Sequence, residues 1–583
     1  MRVLRHWATA VALSIVILIS YNWLNWTPSF RNVFPWVSGG DGAFYALRLK
    51  AALEGDRVLS CVQDPSLARK TMLSQQLIEV AWASLLRPFV GNDVGAAIKV
   101  TYCLLPLILF WLYFLFLRIS FGKTPLLSVL ALWALLEPGT YGWKPLSFDL
   151  YFAEPFPYSR FVNPLLFQVF FVGALCAVAD LARRTGPIRS WIILLTGLCI
   201  GMLFYTPVYD CEILGVTLFL FACISAVKGE PRKAIPVLSA ALIGLAIGSP
   251  VVLNALRVAK TPELLELLHR SGMVVSNHHP YFLFHKAFWA TFISYQLFYW
   301  RRPKDWLWQL GTAGMLAGYL CLNQNIITGL SSQDHHFFRP MMAIYVFVVA
   351  DIGTKIWPAL CEKIGAWGRV GLPIALCALI TCKAAWTNME TSNAAETKWG
   401  FLQAGGTFEQ TVHEMAKVPP EFRGLMLEDQ NLSYLTAVRS GIPIYVNDYL
   451  SICAISDQQV FFRWSLYMKS FGRSPVEVED FLTRFIRASN LPWWLYGMPD
   501  TYLGPRDRYS DKIYADRARS WVTAYSSLSV SDLLKQVNQM PRLILESPGY
   551  RLDQSGFGSF VRLKILFEVP QEGTRLWLIE GAR

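Results

Sequence analysis

Hydrophobic and polar positions in this chain fall into apolar runs of about 17 to 23 residues separated by shorter polar connections. Coiled as helices, runs of that length reach across the roughly 30 Å hydrocarbon core of a bilayer. They lie near 8–26, 96–118, 124–143, 162–182, 190–207, 212–227, 234–254, 284–300, 306–328, 340–361 and 369–387, and predict eleven membrane-spanning helices. One further stretch, Leu73 to Val90, is apolar but carries Glu79 and Arg87. It is expected as an amphipathic helix on the outer membrane surface, because a crossing there would invert every later loop.

Beyond about Asn388 the hydrophobicity falls and roughly 195 residues remain, enough for a domain with its own core. Strand-like patterns occur at Gly424–Glu428 and Ile442–Val446, a helical one at Ser456–Phe471, and a closing hairpin at Val561–Phe567 with Thr574–Ile579. The expected organisation is a helical multi-pass domain over 1–387, with a long first outer loop at 27–95. An extracytoplasmic α/β domain over 388–583 follows it.

Charge fixes the orientation. Arg2/Arg5, Arg118/Lys123, Arg183/Arg184/Arg189, Lys228/Arg232/Lys233, Arg301/Arg302/Lys304 and Lys363/Arg369 occupy every second connection, as cytoplasmic loops do. The N-terminus is therefore expected inside and the C-terminal domain outside. The first run has a basic start but no small-residue cleavage site after Trp26, so it reads as a retained anchor. Only 16% of residues are charged against 54% hydrophobic, with 22 Trp, which suits a membrane protein. The formal net charge of +12 is carried largely by the orienting loops and implies no nucleic-acid partner.

Nine of the eleven cysteines lie in or beside apolar runs, where cysteine acts as a small apolar residue. Cys61 and Cys453 are in outer regions, as a bridge or as two separate thiols. The chain has no paired CxxC, HExxH, Walker A or GxSxG pattern, so zinc, nucleotide-phosphate and serine-hydrolase chemistry have no sequence support.

The candidate chemistry lies on the outer side. Asp41, in Gly40-Asp41-Gly42, follows the first anchor at the membrane surface. With a helix from Gly42 to about Gly55, Asp41, Tyr45 and Arg48 are spaced i, i+4, i+7 and share a face. Asp41 is either a functional carboxylate or the cap of that helix, and the two roles are compatible. His278-His279, Asp334-His335-His336 and Arg339 stand at the entrances of the eighth and tenth spans, and Arg160 precedes the fourth. Arginine is the preferred partner of a phosphate, since its planar fork donates two parallel hydrogen bonds. Arg160 and Arg339 are thus candidates to hold a lipid-carrier phosphate, or else they anchor their helices by snorkelling. The histidines could ligate a metal with Asp334, or make ordinary polar contacts. Asp210 and Glu212 mark an outer turn, as a second acid, a metal ligand or solvated turn carboxylates. Asp351 and Lys355 form a local i, i+4 pair.

Together these features resemble the GT-C superfamily of integral-membrane glycosyltransferases. The resemblance rests on an acid just after the first span, an amphipathic outer helix, a many-helix body and an outer C-terminal domain. The segments Tyr158-Ser-Arg160-Phe-Val-Asn-Pro164 and Asn323–Gly329, with Asp334-His-His336 and Arg339, are similar to bacterial members. What the resemblance implies is an inverting transferase of the bacterial inner membrane. Its donor would be a polyprenyl-phosphate sugar and its acceptor a hydroxyl of a glycan, lipid or protein. Asp41 matches the family's first-loop base, and Tyr45, Arg48, Arg160, His278, His279, His335, His336 and Arg339 would bind donor phosphate and substrate. Asp41 lacks the adjacent second acid seen in metal-using members, so no cofactor is required and a divalent metal stays open. An outer-leaflet polysaccharide polymerase or ligase shares the topology but relies on arginines and histidine. A transporter would need polar pathways at the midplane, where few charges occur.

Overall fold

The computed structural model describes residues 2–26, 40–56, 76–122, 124–136, 161–184, 188–258, 260, 283–284, 286–328, 337–365, 367–399, 407–419, 426–427, 440, 442, 445–446, 456–487, 511–537, 540–546, 551–557, 561–570 and 573–582. Each of the eleven apolar runs is helical within those residues. The first part of the chain builds α1 (Arg2–Trp26), α2 (Gly40–Glu54), α3 (Gln76–Val90), α4 (Val94–Phe121), α5 (Leu126–Leu136), α6 (Phe167–Ala182) and α7 (Ser190–Met202). It continues with α8 (Val208–Val227), α9 (Pro231–Val258), α10 (Lys286–Phe298), α11 (Trp306–Leu322), α12 (Phe338–Ile364) and α13 (Leu372–Trp399). Among the described residues, six helices are long and apolar enough to cross a membrane, within α4, α6, α8, α9, α12 and α13. The chain is therefore a multi-pass membrane protein.

Some boundaries differ from the sequence reading for local reasons. The run 306–328 is interrupted, because Asn323 turns its side-chain amide onto the Tyr319 carbonyl at 2.9 Å and caps α11; a single turn, Asn325–Thr328, follows. Helix α8 starts earlier than expected, directly after Pro207, so Asp210 and Glu212 belong to its first turns and not to a solvated connection. Helix α13 runs on to Trp399, past the expected end at 387.

Helices α7 and α9 approach closely through glycines four residues apart. A Cβ on Gly197 would stand 2.6 Å from Ile243, and one on Gly248 would stand 2.1 Å from the Phe204 ring. Gly201 and Gly244 complete the small-residue seam, which lets two backbones pack without a hydrophobic drive between them. One apolar core extends from Ala10 of α1 to Ala384 of α13. Several polar groups buried within it are paired. Asp351 accepts from the hydroxyls of Tyr295 (2.7 Å) and Tyr299 (2.6 Å) and from Lys355 Nζ (2.7 Å), so the local pair is part of a four-residue network. At the other end of α6, Asp180 bridges Arg183 and Arg184, each at 2.6 Å.

The amphipathic α3 packs Ile78, Ala83 and Leu86 inward and leaves Leu77, Leu85 and Phe89 exposed. Trp82 Nε1 donates to Thr101 Oγ1 at 3.0 Å and ties α3 to α4.

The C-terminal residues have separate cores. After α14 (Thr407–Lys417) come β1 (Met426–Leu427), α15 (Asp457–Ser470), α16 (Pro475–Arg487), α17 (Asp511–Ser527), α18 (Val530–Gln536), β2 (Leu543–Glu546), β3 (Val561–Val569) and β4 (Thr574–Ala582). The sheet order is β1-β2-β4-β3; β1 runs parallel to β2 and the other pairs are antiparallel. The anticipated hairpin is β3–β4, turning at Gly573 with φ 64°. The strand expected at Ile442–Val446 does not form where it is described: Tyr445 and Val446 lie in a bend, both buried, without alternation. Pro443 there lacks the N–H that a ladder needs. β2 was not legible, because its four consecutive buried residues carry no period of two.

Candidate active site at the meeting of four helix ends

Alternating helix directions bring the starts of α6, α8 and α12 together with the end of α11. Asp210, in the first turn of α8, is 1% exposed. Gln168 of α6 donates its Nε2 to Asp210 Oδ1 at 3.4 Å, and the Thr206 hydroxyl lies against the same carboxylate. Its counter-charge is Arg339, in the first turn of α12 and 3% exposed. The rings of Tyr209 and Phe337, 6.0 Å apart and edge-on, close the contact between these two helix starts. Arg339 is therefore inside the protein, not reaching along its perimeter as a snorkelling side chain would.

Glu212 lies one position beyond Cys211 in the same turn, and the Gln324 side chain, just past the end of α11, hydrogen-bonds to it. Its Oε2 is buried and meets no hydrogen-bond donor. The sequence marked these two acids as an outer turn; their partners on α6, α11 and α12 are too distant in the chain to be read from it. The available signal is that Gln168, Asp210 and Glu212 interrupt or border otherwise apolar runs.

Beside this cluster is an apolar cavity of about 670 Å³, walled by Trp82 and Leu85 of α3, Leu105 of α4, Phe170 of α6, Tyr205 in the turn after α7, and Ile247 of α9. The Tyr205 hydroxyl donates to the Ile247 carbonyl at 3.1 Å and holds this wall. Tyr205 lines the cavity while its neighbour Thr206 touches Asp210, so apolar and charged surfaces meet at one helix end.

Of the residues marked by the sequence, Asp41 sits in the first turn of α2, one residue inside the helix start at Gly40. Tyr45 and Arg48 follow on that helix and are buried. Arg48 Nε donates to Glu79 Oε2 of α3 at 2.7 Å, and the guanidinium carbon stands 5.9 Å from the Tyr45 ring centre. Burial pushes the Glu79 carboxyl up to about 7 even though Arg48 opposes the shift. Arg160, His278, His279, His335 and His336 lie outside the described residues, as do Asp334, Cys61 and Cys453. The nine described cysteines are free. Among the described residues no group of three or more His, Cys, Asp or Glu forms a metal site.

No protein-family model matches the chain, and no curated protein matches it. Among solved structures it is similar to the crystal structure of ArnT from Cupriavidus metallidurans bound to undecaprenyl phosphate. That likeness has a TM-score of 0.41 and 12% identity over 97% of each chain, too loose to transfer any residue role.

Proposed function

We propose that the chain is a membrane glycosyltransferase that moves a sugar from a polyprenyl-phosphate donor to an acceptor hydroxyl at the outer face of a bacterial inner membrane. In this reading the eleven helices all cross the bilayer, the N-terminus is cytoplasmic and residues 388–583 form the outer domain. The observation that carries the reading is Arg339. A buried guanidinium with a fixed counter-charge stands beside a large apolar cavity, the pairing of surfaces that a lipid phosphate requires. Asp41 is the base: it takes the acceptor hydroxyl proton as that oxygen attacks the anomeric carbon. The carbon–oxygen bond to phosphate breaks with inversion, and the polyprenyl phosphate departs with the electron pair. Negative charge builds on the departing group, and Arg339, with Arg160, His278, His279, His335 and His336, stabilises it. Tyr45 and Arg48, on the same helix as Asp41, serve donor and substrate binding in this reading. A divalent metal is compatible with this scheme but no step needs one.

The test is transfer by the purified protein in lipid nanodiscs, given radiolabelled polyprenyl-phosphate sugars and candidate acceptors. Label should move to acceptor with release of unsubstituted polyprenyl phosphate. Failure to move label from any donor, with intact lipid binding, would contradict the reading.

A further inference from the structure

Three buried polar oxygens around the start of α8 and the end of α11 meet no hydrogen-bond donor: Glu212 Oε2, Gln168 Oε1 and Asn323 Oδ1. Gln168 is 1% exposed and Asn323 is 7% exposed. The amide orientations are fixed by what the nitrogens do. Gln168 Nε2 donates to the Asp210 carboxylate and Asn323 Nδ2 donates to the Tyr319 carbonyl, so in each case the bare atom is the oxygen. Glu212 is held by Gln324, the residue following Asn323, while Gln168 reaches Asp210 two residues before Glu212. At the junction of these helices Gln168 thus stands on the α6 side of the α8 start, and Glu212 and Asn323 on its α11 side.

Buried polar groups are nearly always paired, and leaving one bare costs its full desolvation. Three bare acceptors around one helix start call for a partner that offers several donors. A phosphate has none at neutral pH and would be repelled by Glu212. A sugar ring offers several hydroxyls, and in a lipid-linked donor it is bonded directly to the phosphate assigned to Arg339. Arg339 is joined to this junction through Asp210 and Gln168.

We infer that Glu212, Gln168 and Asn323 form the hydroxyl-recognising subsite for the donor sugar, with Arg339 selecting the phosphate and these acceptors selecting the polyol. This rests on the glycosyltransferase reading and adds to it the residues that distinguish a loaded carrier from an empty one.

The test compares binding of a polyprenyl-phosphate sugar with binding of the sugar-free polyprenyl phosphate, in nanodiscs, for wild type, Glu212→Gln and Gln168→Leu. Wild type should bind the loaded lipid more tightly. Each variant should lose about 10- to 100-fold of affinity for the loaded lipid, the range for a hydrogen bond to a charged or buried acceptor, and keep its affinity for the empty one. Retained binding of empty lipid also shows that the variant is folded. Variants that match wild type on both lipids, or a wild type that does not discriminate between them, would overturn the subsite while leaving the lipid-phosphate reading standing. A wild type that binds neither lipid would overturn that reading and the subsite with it.

Discussion

Arg48 Nε lies 2.7 Å from Glu79 Oε2, and with side chains 1% and 2% exposed the two close the contact between the first-loop helix and the amphipathic helix after it. The pair is enclosed, so desolvation outweighs attraction and the Glu79 carboxyl is raised from 4.5 to about 7. A raised carboxyl binds its proton more tightly in the folded than in the unfolded state. Its contribution to stability is then full below pH 4.5 and is lost as the pH rises through 7. Thermal unfolding in detergent should show this decline between those values, and Glu79→Gln should abolish it with little change in stability near neutral pH. Glu79→Ala, which removes the carboxylate that accepts from Arg48 Nε, should cost about 3–5 kcal/mol.

Gly248 admits no side chain, since a Cβ there would overlap the Phe204 ring at 2.1 Å. Gly248→Ala should destabilise the α7–α9 seam by about 1–3 kcal/mol, read as a lowered midpoint in detergent unfolding. Gly173→Ala on α6, where a Cβ meets nothing within 4 Å, is the matched control and should be neutral or slightly stabilising.

Asp351 serves three donors at once, and Lys355 has no nearer carboxylate, Asp305 being 3.4 Å away. Asp351→Asn should cost about 3 kcal/mol, the lower end for a broken buried pair because Lys355 is 27% exposed. A double variant with Lys355→Met should recover part of that loss in the same unfolding measurement, because the ammonium left with only the more distant Asp305 is removed.

If Arg339 holds the departing phosphate with its planar fork, charge alone is not sufficient there. Arg339→Lys should lower transfer by about 10-fold or more, and Arg339→Met by about 10²–10³-fold, the range for loss of one donor to a developing anion. Steady-state kinetics with a lipid-linked sugar would check both.

The helical body is legible in the sequence because the bilayer imposes a minimum length and an apolar surface on each span; the same constraint identifies Leu73–Val90 as different through Glu79 and Arg87. The two inserted carboxylates show the limit. Asp351 with Lys355 is visible as a helix-spaced pair, yet the tyrosines that complete it lie on α10 and just past its end, and only tertiary packing reveals them. Asp210 reads as a turn acid because the apolar run begins after it, whereas Pro207 starts the helix earlier and buries it against Gln168 and Arg339. Periodicity also found the β3–β4 hairpin and α15 but missed β2, whose uniform burial erases alternation.

The most direct test of the account is sugar transfer by wild type and Asp41→Asn in nanodiscs with the same lipid-linked donor, alongside donor binding. A general base contributes about 10²–10⁴-fold, so the account predicts a loss of that size with donor affinity unchanged. Transfer that survives the substitution at near wild-type rate would contradict Asp41 as the base.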